Sequence, residues 1–416
     1  MSQNKLKISV AVAALLSSMT GYAAAEDVRG QGVADRARPD YDAIGVRTGS
    51  FLFYPSVTVG ESYDDNIYAA ETNTESDFVT DLSTQLSLVS TWSRHELILN
   101  ATADAAFYAE NDDENTVDWG VGATGRIDIV RDSSIDLAAS YDHLTEDRGS
   151  ANAIGVQTEP TEYDLLYGLV AINHKFNRVS LRVEGTYSDY DYDNGSLIGG
   201  GVSFQDDRDR AEMVGTVQVG YDVSPDTNVF LRGSINERDY DLDVPAATVD
   251  RDSDGYEVVA GVEFGISSLA SGEIYAGYQE QDYTAAALDN ISGLAFGVDV
   301  EWYLTPLTTV RATASSSVEE TINATASGYL SNSYGLGLDH ELMRNVIVSA
   351  DVGYTTDEYE GITRTEDTLT LDLGVDYLIN RNFRAEFGYT YTNRDSDTAG
   401  RGYDNNVVGF SLKAQL

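Results

Sequence analysis

The sequence predicts an all-β protein: a transmembrane antiparallel up-and-down β-barrel of about 18 strands, with about 16 as the alternative. Three observations predict this fold class. The first residues have the pattern of a secretory signal, segments of about ten residues with alternating polarity recur from residue 51 onwards, and the connectors between them are alternately short and long. A chain of 416 residues could also form two soluble domains. The prediction of a barrel therefore rests on the alternation and on the connectors.

Residues 1–25 have the pattern of a signal peptide. Two lysines precede an apolar run at 8–16, and three alanines at 23–25 offer a cleavage site before Glu26. The apolar run is shorter than the about 20 residues that a membrane helix needs. We therefore expect the chain to leave the cytoplasm without a helical anchor, and to reach the outer membrane of a Gram-negative bacterium.

The composition argues against some partners and is typical of a protein with many β-strands. The formal net charge is −43, which argues against binding nucleic acid or anionic lipid directly. The sequence has no cysteine, 37 glycines and 27 tyrosines, and tyrosine favours sheets and membrane interfaces. A soluble secreted acidic protein is the alternative, and the strand pattern disfavours it.

The order of connectors divides the rest of the chain. Residues 26–50 lack periodicity and are predicted to be a periplasmic lead-in, whereas residues 51–416 are predicted to form the barrel. Short turns on one side and long loops on the other are typical of outer-membrane barrels, with the turns in the periplasm. An even number of strands would place both termini in the periplasm.

The closing strand shows the alternation most clearly. In residues 406–416 every second residue is apolar, including Phe410, Leu412 and Leu416, and the opposite row is small or polar. We expect Phe410 and Leu412 to face outer-membrane lipid and Leu416 to lie at the periplasmic rim. We expect the barrel-assembly machinery to act on this strand.

The alternation also predicts which charges line the lumen, because an Arg or Lys facing lipid costs roughly 2–4 kcal/mol at the midplane. Carboxylates outnumber basic side chains on the predicted inner face, so the lumen should favour cations. Acid–base pairs across neighbouring strands would account for most of the arginines. The predicted lumen-lining residues are Asp104, Asp118, Arg126, Asp128, Asp164, Arg182, Glu184, Glu212, Arg232, Glu263, Asp299, Glu301, Arg311, Asp351, Asp372, Arg384 and Glu386.

The sequence gives little support for an enzymatic function. Of the four histidines only His143 is near a long loop, and a solvated strand end is the favoured interpretation of it. We predict no catalytic residue and no cofactor. Asp250, Asp252 and Asp254 resemble the opening of a calcium loop, but Gly261 stands at the twelfth position where Glu is needed. A solvated acidic loop is favoured, with weak divalent-cation binding as the alternative.

The first hairpin carries a family resemblance. Residues 45–57, the run Tyr-Asp-Asp-Asn-Ile-Tyr at 63–68 and the run Trp-Ser-Arg-His at 92–95 resemble the putative beta-barrel porin 2 family, over roughly residues 45–416. The resemblance implies an outer-membrane barrel associated with exopolysaccharide or capsule secretion, and supplies no catalytic residues. A periplasmic polysaccharide export protein is the partner that this role would require. A net acidic wall would favour a neutral or weakly charged polymer.

Two other functions fit the same sequence. A passive, cation-leaning porin for small solutes needs only the barrel and its acidic wall. A surface structural or adhesive barrel would depend on the acidic loops and not on the lumen.

Overall fold

A computed structural model of the chain describes residues 30–153, 155, 157–241, 249–266 and 269–416. The predicted signal at 1–25 lies outside these residues. Eighteen long antiparallel strands form one closed barrel, which confirms the predicted fold class and the predicted number of strands. One short strand, Val46–Thr48, pairs with the first barrel strand, and Gly195–Ser196 pairs with Val202–Ser203 in a loop.

Each strand pairs with its neighbours in sequence, and β1 also pairs with β18, where Ser56 lies opposite Gln415. The eighteen barrel strands are β1 Phe51–Asp64, β2 Asp77–Ser90, β3 Glu96–Tyr108, β4 Thr116–Val130, β5 Ser133–Thr145, β6 Glu162–Phe176, β7 Val179–Tyr192, β8 Arg210–Ser224, β9 Thr227–Tyr240, β10 Ser253–Ile266, β11 Ala270–Tyr283, β12 Ile291–Thr305, β13 Thr308–Glu319, β14 Tyr329–Met343, β15 Val346–Tyr359, β16 Thr365–Asn380, β17 Phe383–Ser396 and β18 Tyr403–Gln415.

The outer face of the barrel is apolar and uncovered by protein. In β4 the exposed residues include Val117, Trp119 and Val121, and in β18 they include Phe410 and Leu412. A closed sheet satisfies every backbone hydrogen bond internally, so an apolar outer face of this extent suits a lipid environment. Among the described residues, no helix has the length and apolar character needed to cross a membrane.

The connectors define two ends of the barrel, called here the turn end and the loop end. At the turn end, Asp132 and Asn177 have φ angles of 63° and 59°, which tight hairpin turns require and Asp and Asn tolerate. Phe51, where β1 begins, and Gln415, where β18 ends, both lie at the turn end. The described parts of the long connectors lie at the loop end.

Candidate functional site

The inner wall of the barrel contains the predicted lumen-lining residues, with one exception. Residues directly opposite each other in neighbouring strands share a face, and Asp104 lies opposite Asp118, as Glu301 lies opposite Arg311. These positions alternate with the exposed apolar residues on the same strands. The structure therefore places all of the predicted set, except Asp164, on the inward face.

The prediction for Asp164 was wrong, because this residue lies on the outer face of β6. It shares the parity of the exposed residues Leu166 and Val170. Its carboxylate lies 2.8 Å from His143 Nδ1 and accepts a hydrogen bond of 2.7 Å from the Tyr141 hydroxyl. Asp164 is at the loop end, where a charge on the outer face costs only about 0–1 kcal/mol. The parity of the two apolar residues was the signal that could have corrected the prediction.

Arginines on the inner wall bind carboxylates on neighbouring strands. Arg311 Nη2 lies 3.4 Å from both Asp339 and Asp351, so that one guanidinium joins β13, β14 and β15. Arg384 Nη2 on β17 lies 2.7 Å from Asp376 on β16. Because the basic minority is held in such pairs, the more numerous carboxylates determine the sign of the field inside the barrel.

The described part of the lead-in enters the lumen at the turn end. Val33 is fully buried against Ile347 and Leu378. Its backbone N–H donates a hydrogen bond of 2.9 Å to the hydroxyl of Thr309 on the inner wall. Gly45 has a φ of 68°, and a Cβ there would lie 2.7 Å from the Tyr54 ring, so this position requires glycine. The described part of the lead-in is thus folded into the barrel, an arrangement that its sequence did not predict.

Charged contacts hold the same segment. Arg36 Nη1 and Arg38 Nη2 lie 3.5 and 3.4 Å from one oxygen of Glu341, and the three side chains are at most 12% exposed. Burial lowers the pKa of Arg36 from its ordinary value, while the attraction of Glu341 opposes that shift and the nearby Arg38 adds to it. Further along, Arg381 Nε donates a hydrogen bond of 2.7 Å to the carbonyl of Pro39.

At the loop end, the described residues 146–153, 155 and 157–161, called here the crossing loop, extend from β5 to the opposite side of the barrel. The carbonyl of Ala151 accepts hydrogen bonds from Arg364 and Arg401, which belong to the connectors on either side of β16 and β17. The side chain of Asn152 donates a hydrogen bond of 3.0 Å to the carbonyl of Glu320. The crossing loop therefore spans the mouth of the lumen.

The two arginines that donate to the Ala151 carbonyl are themselves fixed by one buried carboxylate. Glu366 is fully buried, and its oxygens lie 2.8 Å from Arg364, 3.3 Å from Arg401 and 3.9 Å from Arg394. A buried carboxylate of this kind needs its cations, because an unpaired charge in the interior is strongly destabilising. Glu366 thereby positions the two guanidinium groups that donate to Ala151.

Tyrosines and arginines fill much of the inner wall near the loop end. Arg208 lies 3.9 Å from the ring centroid of Tyr192, and Arg364 lies 4.0 Å from that of Tyr359. Tyr192 also stacks on Tyr163 at 4.9 Å. The number of tyrosines in the sequence indicated sheets and membrane interfaces but not this inner group, because both faces of a strand accept tyrosine.

The weak calcium candidate is not assembled. The Asp252 carboxylate accepts a hydrogen bond of 2.8 Å from the Tyr240 backbone N–H, and Asp250 accepts one of 3.0 Å from the backbone N–H of Asp252. Asp254 lies on the outer face opposite Asp282. Within the described ranges, no group of three His, Cys, Asp or Glu side chains has an arrangement that could hold a metal ion.

Comparison with known proteins identifies the family. Residues 38–416 match the family described as "Putative beta-barrel porin 2". The chain belongs to this family. Membership of the porin 2 family confirms the resemblance at the first hairpin, and it makes the protein an outer-membrane β-barrel of the porin type. No curated protein sequence matches the chain.

Several solved barrels are similar to this porin 2 family member in structure. A mutant of the ferric enterobactin receptor of Pseudomonas aeruginosa has 7% sequence identity and a TM-score of 0.49, with 88% of this chain and 80% of that chain covered. OpdL of Pseudomonas aeruginosa has 10% identity and a TM-score of 0.45, with 89% and 99% covered. OccK3 (OpdO) of the same organism has 13% identity and a TM-score of 0.45, with 88% and 95% covered.

Proposed function

We propose that this barrel is a gated outer-membrane channel that takes part in the export of exopolysaccharide or capsule. The observation that carries the proposal is that segments of the chain itself enter or cross both mouths. A barrel of about 18 strands is wide enough to hold an aqueous channel. A conduit for polymer must be closed when it is idle, whereas a diffusion porin works only while it stays open.

The chemistry of the wall supports this proposal. The inner face carries amides, hydroxyls, tyrosines and ion pairs such as Arg384 with Asp376, all of which can exchange hydrogen bonds with a sliding sugar chain. The excess of carboxylates would repel a polyanion. The exported polymer is therefore neutral or weakly charged.

The orientation follows from the same proposal. Short turns and both ends of the strand series lie at one end of the barrel, which in outer-membrane barrels is the periplasmic end. A periplasmic polysaccharide export protein would then meet the barrel where the lead-in enters it. The barrel-assembly machinery would insert the chain with β18 against β1.

A passive porin that prefers cations is the second candidate, favoured by the carboxylate excess on the wall. Gene deletion separates the two. Loss of secreted polysaccharide, with polymer retained in the periplasm and unchanged uptake of small solutes, would support export. Unchanged polysaccharide with slower uptake of a small sugar or cation would refute export and support the passive porin. A lack of enzymatic activity is part of both proposals.

A further inference from the structure

The described part of the lead-in, residues 30–50, has its contacts on one side of the turn-end mouth, from β13 round to β18 and β1. Its contacts with Thr309, Glu341, Ile347, Leu378 and Arg381 fall on β13 to β16 and on the turn after β16. On the other side, β4 to β10 border a polar cavity of about 310 Å³. The polar residues that line this cavity include Asn173, Ser180, Arg182, Gln218 and Glu263.

The hydrogen-bonding groups of this cavity are already arranged in a network. Arg182 Nη1 donates a hydrogen bond of 2.8 Å to Asn173 Oδ1, and its Nη1 lies 3.3 Å from the Asp136 carboxylate. Gln218 Nε2 donates a hydrogen bond of 3.2 Å to Glu263. The cavity is therefore rich in oriented donors and acceptors that other residues of the wall hold in place.

The basic groups Arg182 and Lys175 of the cavity are paired with carboxylates, and the carboxylate of Glu263 accepts a hydrogen bond from the Gln218 amide. Arg182 is bound by Asp136 and by Glu184, and Lys175 Nζ lies 2.6 Å from Asp222. A small anion would have to compete with these carboxylates, and a cation bound at Glu263 would have to displace the Gln218 amide. A neutral polyhydroxylated ligand carries no charge that these groups repel, and each hydroxyl can both donate to a carboxylate and accept from an amide or guanidinium N–H. The chemistry of the cavity thus selects for neutral sugars.

We infer that this cavity is the saccharide subsite at which polymer enters the lumen, and that the lead-in confines the polymer to the β4–β10 side. The inference rests on the proposed export function, because it places that function's substrate at one side of the turn-end mouth. Amide and guanidinium groups of Asn173, Arg182 and Gln218 bind the sugar hydroxyls, and Glu263 accepts from them.

The absence of cysteine from the sequence permits a direct test with the full-length barrel in detergent. Ser180→Cys places one thiol in the cavity, and Ser349→Cys, at an inward position of β15 on the lead-in side, is the matched control. The measurement is the rate of labelling by a hydrophilic maleimide, with and without a neutral isomaltose-type oligosaccharide. At a concentration ten times its Kd, the oligosaccharide should slow labelling of S180C about tenfold and leave S349C unchanged.

Further variants and probes make the result decisive. Adding Gln218→Ala to S180C should abolish the protection while the barrel keeps its heat-modifiable mobility on electrophoresis. Equal protection of both thiols, protection of neither, or equal protection of S180C by citrate would each overturn the inference. Labelling does not depend on transport, so a deletion strain that still exports polymer would refute the export function independently of the subsite.

Discussion

Val33 offers the sharpest test of how the lead-in is held. Replacing Val33 by alanine removes two methyl groups from a site that is fully buried against Ile347 and Leu378. The backbone hydrogen bond to Thr309 and the contacts of Arg36 remain available in the variant. The change therefore weakens the apolar contact alone.

The expected magnitude follows from the buried groups. Each buried methylene-sized group contributes about 0.8 kcal/mol, so the variant should lose about 1.6 kcal/mol of docking free energy. Since about 1.4 kcal/mol corresponds to a factor of ten, the undocked population of the lead-in should rise about 15-fold. Any cavity left beside Ile347 would add to this loss.

Limited trypsin digestion measures that population. The side chain of Arg36 is only 9% exposed while the lead-in is docked, so cleavage after Arg36 reports undocking when docking and undocking are fast relative to cleavage. The initial rate of appearance of this fragment, followed by mass spectrometry on the detergent-solubilised barrel, should rise about 15-fold in Val33→Ala. Ile44→Ala is the matched control, since Ile44 lies in the same lead-in and is 68% exposed.

Equal cleavage rates in Val33→Ala, Ile44→Ala and the unaltered protein would refute this prediction. In that case the burial of Val33 contributes nothing to docking. A rise in both variants would instead indicate that any change in the lead-in frees it.

Three further predictions concern the barrel wall and its loops. Phe410→Asp, on the outer face of β18, should destabilise the inserted barrel by about 3 kcal/mol or more and block insertion. If this variant still forms a normal heat-modifiable barrel in the outer membrane, Phe410 faces the lumen and not the lipid. Phe410→Leu is the control. Reversal potentials of an opened channel in a salt gradient should indicate cation selectivity at neutral pH, and anion selectivity would contradict the charge argument. Burial raises the pKa of Asp209 to about 6, above its ordinary value, and nearby carboxylates add to the shift although the Tyr192 N–H opposes it. Protonated Asp209 therefore stabilises the loop at 193–209 at low pH, and this stability is lost as pH rises through about 6. Deuterium uptake in this loop, corrected for intrinsic exchange rates, should increase between pH 5 and 7. Asp209→Asn should remove this dependence, and an unchanged dependence in the variant would assign it to another group.

The strands of the barrel were predictable because each of them must present an apolar outer face to lipid. Period-two alternation is local, so the sequence of 406–416 was sufficient to assign the outer face of β18, and the first barrel strand begins at Phe51 as the alternation indicated. Asp164 was misplaced because the alternation loses its meaning at a strand end, where either face is solvated.

The contents of the lumen were not predictable in the same way. The hydrogen bond between Val33 and Thr309 joins residues 276 positions apart, and that between Arg401 and Ala151 joins residues 250 positions apart. Neither the lead-in nor the crossing loop has a periodicity that indicates its contact surface. The only available signal was composition: a valine and two arginines close together in an otherwise acidic chain.

The two mouths restrict the same lumen in series, and this makes their effects on conductance separable. Arg401→Ala removes the hydrogen bonds to Ala151 and to the carbonyl of Ala153, together with one cation at Glu366. A loss of about 3 kcal/mol would raise the open population of the crossing loop about 100-fold. Because the described part of the lead-in has its contacts away from the β4–β10 side, this variant alone should give small-ion current in planar bilayers. Val33→Ala alone should give no such current, since the crossing loop still spans the other mouth.

The double variant should pass larger neutral solutes than Arg401→Ala, measured by polyethylene glycol exclusion. Current through Val33→Ala alone would show that the crossing loop does not close the channel, and an unchanged exclusion limit in the double variant would show that the lead-in does not narrow it.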